Sequence, residues 1–472
     1  MKPVLTLTGF LSLFLVRRIL RRGVLRLAAV RYGLAAAALL AFAAFCAFGI
    51  VTLRQLIADP ALLVPLLRVA GTAVPMWVLA IFTFVRVLFM KSSDLVELTF
   101  GFPLTNRART LGFMLFEAML VGIGVTVILG ALVAGTLAIG GFGVLDDVVT
   151  CLVLPTCVSY LLASVYYLLL ERALLQFRLA RLRAFLVPIV LAGTLIALAV
   201  AVSSQSERVL FAAIGEGEYF APQLIFADLA AAHGLLAAVG AWLAAVALLV
   251  TLVCSATPRQ FDPTRRFARI PRVLGSSEFG AYFLAHVRAI ETITVYGLVL
   301  AGSYALFVAD VRLPPFLLIA VTIQGAYAFV STEPLRACGP RRHGTVRRYL
   351  LVLGPQLFAL FVCAVPVGIL SALTGIGWSE IIMVVGFCAS NTVVLTLAGI
   401  AFPPEKGNPF SVIVGVAVAA LVTGTLLFGT SVLGLPTWFS TVVLAAVTAC
   451  AGILSVIGMQ KIERIERHEV VV

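Results

Sequence analysis

The chain has 472 residues, of which 62% are hydrophobic and only 12% charged. That is too little polar surface to clothe a soluble protein of this size, and apolar runs recur at roughly the 18–25 residues an α-helix needs to cross a bilayer. The formal net charge of +13 comes from 34 Lys and Arg spread over several short loops. They do not form the single aromatic-laced basic patch of a nucleic-acid-binding surface, which argues against nucleic acid as a partner.

Residues 1–31 set arginines among aliphatics, as in Leu15-Val16-Arg17-Arg18-Ile19-Leu20-Arg21-Arg22-Gly23-Val24-Leu25-Arg26. The spacing predicts an amphipathic helix on the inner leaflet, in preference to a cleaved signal. Hydropathy then predicts about twelve spans, near 33–52, 72–90, 110–138, 148–170, 185–203, 234–254, 289–308, 313–330, 349–374, 380–402, 409–431 and 437–459. The expected fold is therefore an all-α polytopic membrane protein.

Arginines collect before the first span (Arg17, Arg18, Arg21, Arg22, Arg26, Arg31), between the fourth and fifth (Arg172, Arg178, Arg181, Arg183) and between the sixth and seventh (Arg259, Arg265, Arg266, Arg269, Arg272). The alternate loops carry Asp146 and Asp147, or Glu207, Arg208, Glu216, Glu218 and Asp228. This bias predicts cytoplasmic termini and a place in the cell membrane. A second basic stretch, Phe267 to Arg288, precedes span seven as residues 1–31 precede span one.

The expected domains are an interfacial helix at 1–31, a six-span half at 32–254, a linker with a second interfacial helix at 255–288, a second six-span half at 289–459, and a tail at 460–472. Offsetting the halves by about 238 residues places Arg86 on Gln324, Ser93 on Ser331, Gly101 on Gly339 and Arg109 on Arg347. Six spans per half make the repeats parallel.

Two polar loops occupy equivalent positions in that register. The first contains Lys91-Ser92-Ser93-Asp94-Leu95-Val96-Glu97-Leu98, then Gly101-Phe102-Pro103, Arg107 and Arg109. The second contains Ser331-Thr332-Glu333-Pro334-Leu335-Arg336, then Gly339-Pro340, Arg341, Arg342, Arg347 and Arg348. Acidic groups near a helix start and basic ones after it suit the helix ends and leave side chains for a partner.

The order of basic interfacial helix, two spans, polar loop and third span resembles the permease subunits of type-2 ABC exporters. The resemblance implies a short coupling helix resting on an ATPase, placed at Ser93, Asp94, Leu95 and Glu97 in the first half. Its counterparts in the second are Thr332, Glu333, Leu335 and Arg336. It also implies an outer element between spans five and six, which the apolar segment 204–233 would supply; the counterpart around Gly434-Leu435-Pro436-Thr437-Trp438 is much shorter.

The chain has no G-x-x-x-x-G-K-[ST] run. ATP and Mg are therefore expected on separate ATPase subunits, two copies, with no cofactor in this chain and no enzymatic role for it. The implied cargo is an amphipathic or hydrophobic small molecule, peptide or lipid-like compound, with membrane lipids as neighbours. A secondary transporter of the major facilitator kind is the alternative, although its compact G-x-x-x-D-R-x-G-R-R order is absent. A membrane enzyme needs a catalytic cluster, and His233, His286, His343 and His468 are scattered.

Charges inside spans point to pairing or a pathway. Arg86 in span two and Glu117 in span three lie at similar depth on antiparallel neighbours and are expected to pair, with Gln324 and Gln356 as their uncharged counterparts. Asn391, Glu291 and Glu171 are weaker candidates, the two acids being expected to pair with Arg288 and Arg172. Gly122, Gly124, Gly130 and Gly135 predict close packing by span three. Tyr160, Tyr166 and Tyr167 fit either a route or an interfacial belt. The eight cysteines show no metal-ligand spacing and are expected as free, buried thiols.

Overall fold

A computed structural model describes residues 2–20, 28–57, 62–86, 99, 101–177, 179, 183–213, 221–257, 277–308, 315–338, 344–401 and 437–469. Among these residues the regular structure is helical, with no strand element. The chain divides into two compact units, one of residues 1–183 and 194–263, the other of residues 184–193 and 264–472.

The first unit contains α1 (Lys2–Leu20), α2 (Ala28–Leu56), α3 (Leu63–Thr83), α4 (Asn106–Gly140), α5 (Leu154–Gln176), most of α6 (Arg183–Ala213), α7 (Ile225–His233) and α8 (Leu235–Ala256). Helix α4 starts where Thr105, in extended conformation, turns its hydroxyl to accept from the Ala108 N–H at 3.3 Å. It ends at Gly141, whose φ of 62° favours a residue without a side chain. Its 35 residues rise about 52 Å, well beyond a hydrocarbon core of about 30 Å, so it tilts or projects.

Helix α1 lies against α4, with Leu7 and Leu11 buried and the Thr8 hydroxyl donating to the Gly112 carbonyl at 3.1 Å. Its Leu5, Phe10, Leu13 and Val16 are exposed. Helix α4 also receives α2 and α3, and α5 receives α3 and α8. Glycines make these approaches possible: a Cβ on Gly124 would meet Ile81 at 2.9 Å and one on Gly130 would meet Phe42 at 2.8 Å. At Gly135 a Cβ would lie 3.2 Å from the Gly49 carbonyl, whereas Gly122 faces open space.

The second unit contains α9 (Glu278–Val287), α10 (Ile290–Val308), a broken rod of α11 (Leu318–Thr322), α12 (Gly325–Ser331) and α13 (Glu333–Cys338), then α14 (Thr345–Leu373), α15 (Trp378–Ala401) and α16 (Thr437–Glu469). Ser277 caps α9 by accepting from the Gly280 N–H at 3.1 Å. Phe279 and Phe283 of α9 both pack edge-on against Phe358 of α14. One core gathers Val299, Leu318, Leu360, Val367 and Cys388; another gathers Phe329, Tyr349, Leu395, Ile400 and Met459.

Nine segments among the described residues are long and apolar enough to cross a membrane, where hydropathy predicts about twelve. The difference has three sources. Residues Asn106–Gln176 form one continuous apolar segment of 71 residues, in which α4 and α5 are joined by short helical turns. The expected span at 289–308 appears as a shorter apolar helix, Thr292–Tyr304. The expected span at 409–431 lies outside the described residues, as do the linker arginines Arg259 to Arg272.

Candidate functional site

Helix α3 is largely apolar beyond Arg68 and Thr72 and widens at residues 84–86 into a π-helical turn, which carries Arg86. Such turns break the regular register of a helix and recur at functional positions. Arg86 forms an ion pair with Glu117 through Nη1 and Oε1. Glu117 lies eleven residues into α4, about 16 Å from its start, so the pair sits deep within the helical bundle of the first unit.

The pair continues into a line of polar side chains on α5. The Tyr160 hydroxyl lies 2.9 Å from the Met114 carbonyl and 3.4 Å from Glu117 Oε2. Seven residues further along α5, the Tyr167 ring faces the Arg86 guanidinium at 5.1 Å. The Tyr167 hydroxyl donates to Glu171 Oε1 at 2.6 Å, and Arg183 Nε lies 3.9 Å from the same oxygen. Phe82 sits edge-on to both tyrosine rings at 6.1 and 6.0 Å, closing an apolar side.

Two acids and two bases thus balance along one line, which offsets the cost of burying each. Exposure is unequal: the Glu117 side chain is 2% exposed and that of Arg86 26%. The Arg86–Glu117 pair is where depth counting predicts it. The extension through Tyr160, Tyr167, Glu171 and Arg183 is new, and its signal is the spacing of seven and four, which puts these α5 residues on one face.

Glu171 is not the partner of Arg172 as expected. Arg172 instead donates to the Ser255 carbonyl at 2.9 Å, because consecutive helical residues point about 100° apart. Tyr166 points away from the line and shares a 2.8 Å hydrogen bond with Thr194.

In the second unit the counterpart residues form separate contacts. Thr292 donates to Gln324 Oε1 at 3.2 Å, while Gln356 Nε2 donates to the Val352 carbonyl at 2.9 Å. Gln356 Oε1 lies 3.4 Å from the place a Cβ would take on Gly325, next to Gln324, yet no hydrogen bond joins the two amides. Asn391 donates to Thr322 at 2.8 Å. The Glu291 side chain lies outside the described residues.

Of the eight residues expected to meet an ATPase, Ser93, Asp94, Leu95 and Glu97 lie outside the described residues. The other four continue the rod of span eight. Thr332 is buried and donates back to the Ala328 carbonyl at 2.7 Å. Arg336 folds inwards, its guanidinium 3.6 Å from the Phe329 ring centroid and donating to the Phe329 carbonyl at 2.8 Å. Leu335 packs against Tyr282, Ala328 and Val352. The outer surface of α13 is Glu333, Pro334 and Ala337. Nearby, Arg347 donates to Glu278 at 3.0 Å.

The end of the first unit that carries α7 has its own polar links. Arg68 lies 3.3 Å from Asp228, and Thr72 shares a 3.2 Å hydrogen bond with Ser206. Leu224 is buried beside Val209 and Ala221, within the segment predicted to form an outer element. Among the described cysteines, Cys151, Cys363 and Cys388 are buried, Cys46, Cys157 and Cys254 half-buried and Cys450 exposed; all are free.

These features define a polytopic all-α protein of membrane type with a charge-balanced polar line inside its first unit. Compared with protein-family models, curated proteins and solved structures, the chain finds no match.

Proposed function

We propose that this chain is the membrane permease of an ATP-driven exporter of the type-2 ABC kind, built from two parallel six-span repeats and powered by separate ATPase subunits that carry ATP and Mg. The carrying observation is that helices follow one packing order within each unit. In the first, α1 and α2 pack on α4, while α3 and α8 pack on α5; in the second, α9 and α10 pack on α14, while α12 and α16 pack on α15. In each half the helix that precedes the first expected span lies against the third, which supports one common build for the two halves.

In this reading both termini and both polar loops are cytoplasmic, and the loops are the docking points. In the second loop the contact surface is Glu333, Pro334 and Ala337, with Thr332, Leu335 and Arg336 holding α13 in place. In the first it is Ser93, Asp94, Leu95 and Glu97. The cargo is amphipathic or hydrophobic and leaves the cell.

The test is co-purification of the full chain from its own membranes, followed by ATP-dependent transport in reconstituted vesicles. The expected result is an ATPase with a Walker motif in two copies per chain. Replacing Asp94, Glu97 and Glu333 with alanine should then strip the ATPase while leaving thermal stability unchanged. Unaltered ATPase retention and transport in that variant overturns the coupling assignment. Transport driven by a proton gradient without ATP overturns the exporter.

A further inference from the structure

We propose that Arg86 is the anchor of a binding site for the anionic head of an amphipathic molecule, a phosphate or carboxylate carried on an apolar tail. The site deepens the exporter reading by naming a ligand class, but binding at Arg86 needs no ATPase and is measured without one.

The two members of the buried pair are not equivalent. Glu117 is enclosed, with one oxygen on Arg86 and the other beside Tyr160. Arg86 commits one terminal nitrogen to Glu117 and one face of its guanidinium to the Tyr167 ring, and makes no other hydrogen bond among the described residues. About a quarter of its side chain is open. The free edge of a guanidinium holds two N–H groups in the fork that matches a carboxylate or phosphate, and the group keeps its charge at any working pH.

The surroundings add the apolar half of the ligand. Phe82, one turn before Arg86 on the same face, is buried against both tyrosine rings and makes an apolar wall beside the guanidinium. The exposed Arg107 lies in the first turn of α4, ten residues before Glu117, or about 15 Å along the helix. An anionic head attracted at Arg107 has a second cation to reach further in, while its tail stays among apolar side chains. Glu117 competes with the ligand for Arg86 and so weakens the affinity of the site.

The second unit carries Gln324 and Gln356 at the places expected to correspond, and among the described residues their side-chain hydrogen bonds go to Thr292 and the Val352 carbonyl, not to a cation. One ligand per chain is therefore expected.

The experiment measures binding of fluorescent phosphatidylglycerol and fluorescent phosphatidylcholine to the full chain in maltoside micelles, with inorganic phosphate as competitor. The wild type should bind one phosphatidylglycerol about tenfold more tightly than phosphatidylcholine. Arg86→Gln should bring the two lipids to equal affinity, and Glu117→Gln should raise the phosphatidylglycerol affinity by freeing the guanidinium.

Because Arg86→Gln strands a buried carboxylate, the double variant Arg86→Gln/Glu117→Gln serves as the stable control, and it too should show no headgroup preference. Displacement by unlabelled phosphatidylglycerol alone identifies a lipid ligand; displacement by inorganic phosphate as well identifies a site that takes the free anion. A wild type without headgroup preference, a preference that survives in the double variant, or a Glu117→Gln variant with weakened binding overturns the assignment.

Discussion

Replacing Arg86 with glutamine should unfold the first unit far more readily than its position near the end of α3 suggests. Glu117 is 2% exposed, and once its cation is gone its remaining side-chain partner is the Tyr160 hydroxyl at 3.4 Å. Stranding a buried carboxylate in this way costs about 3–5 kcal/mol. For a unit of this size that lowers the melting temperature by about 10 °C. Glu117→Gln should cost less, since Arg86 keeps its contact with the Tyr167 ring and is partly open.

The double variant removes both charges and leaves two amides of similar shape, so it should recover most of the loss. The resulting coupling energy between the two sites is at least about 2 kcal/mol. Thermal unfolding of purified chains in detergent, read for the wild type, both single variants and the double, measures it. If the losses simply add, the ion pair is not what holds α3 to α4 and the reasoning fails.

Gly399→Ala should destabilise the second unit by about 1–3 kcal/mol, because the added carbon would lie 3.0 Å from the Ala326 Cα and closer still to its carbonyl. Gly122→Ala, which faces open space, should be neutral or slightly stabilising in the same melt. Arg336→Ala should cost about 1–2 kcal/mol by removing the contact over Phe329 and one hydrogen bond. Arg336→Lys should restore only part of that loss, and full restoration would show that charge alone matters.

Burial pushes the His286 imidazole of α9, outside the nine candidate spans, from its ordinary 6.5 down to about 4. Between those values the unfolded chain binds the proton and the folded one does not, so stability is full above pH 6.5 and falls by about 3 kcal/mol as the pH drops towards 4. Melts across that range should show a shallower loss for His286→Leu, and parallel curves for the two proteins would refute the assignment.

The Arg86–Glu117 pair was legible in the sequence because charges within apolar runs must find each other, and counting turns on antiparallel helices gives their depth. Glu171 was not legible by the same logic. Its neighbour in sequence, Arg172, projects to another face and takes the Ser255 carbonyl, while Tyr167, one helical turn back, and Arg183 meet the carboxylate. Residues 331–338 read as the start of a polar loop because they interrupt the hydrophobic pattern, yet α13 is helical there. A proline at the second position of a helix removes an N–H that has no intrahelical partner anyway, so α13 continues the rod. Thr332 and Arg336 then face inwards, which no pattern of charge along the chain reveals.

The two units differ in the polar groups at the places expected to correspond. In the first, Arg86 and Glu117 hold one another at a depth where a lone charge is costly; in the second, Gln324 takes a hydrogen bond from Thr292 and Gln356 donates to its own helix. Amides are cheaper to bury than ions, so packing alone would favour glutamine in both places. An ion pair kept in one unit, with its cation left a quarter open, therefore needs a reason other than stability. Binding a negatively charged head supplies that reason, because a guanidinium brings a full charge and a donor fork that an amide lacks, and a buried acid beside it keeps the empty site neutral.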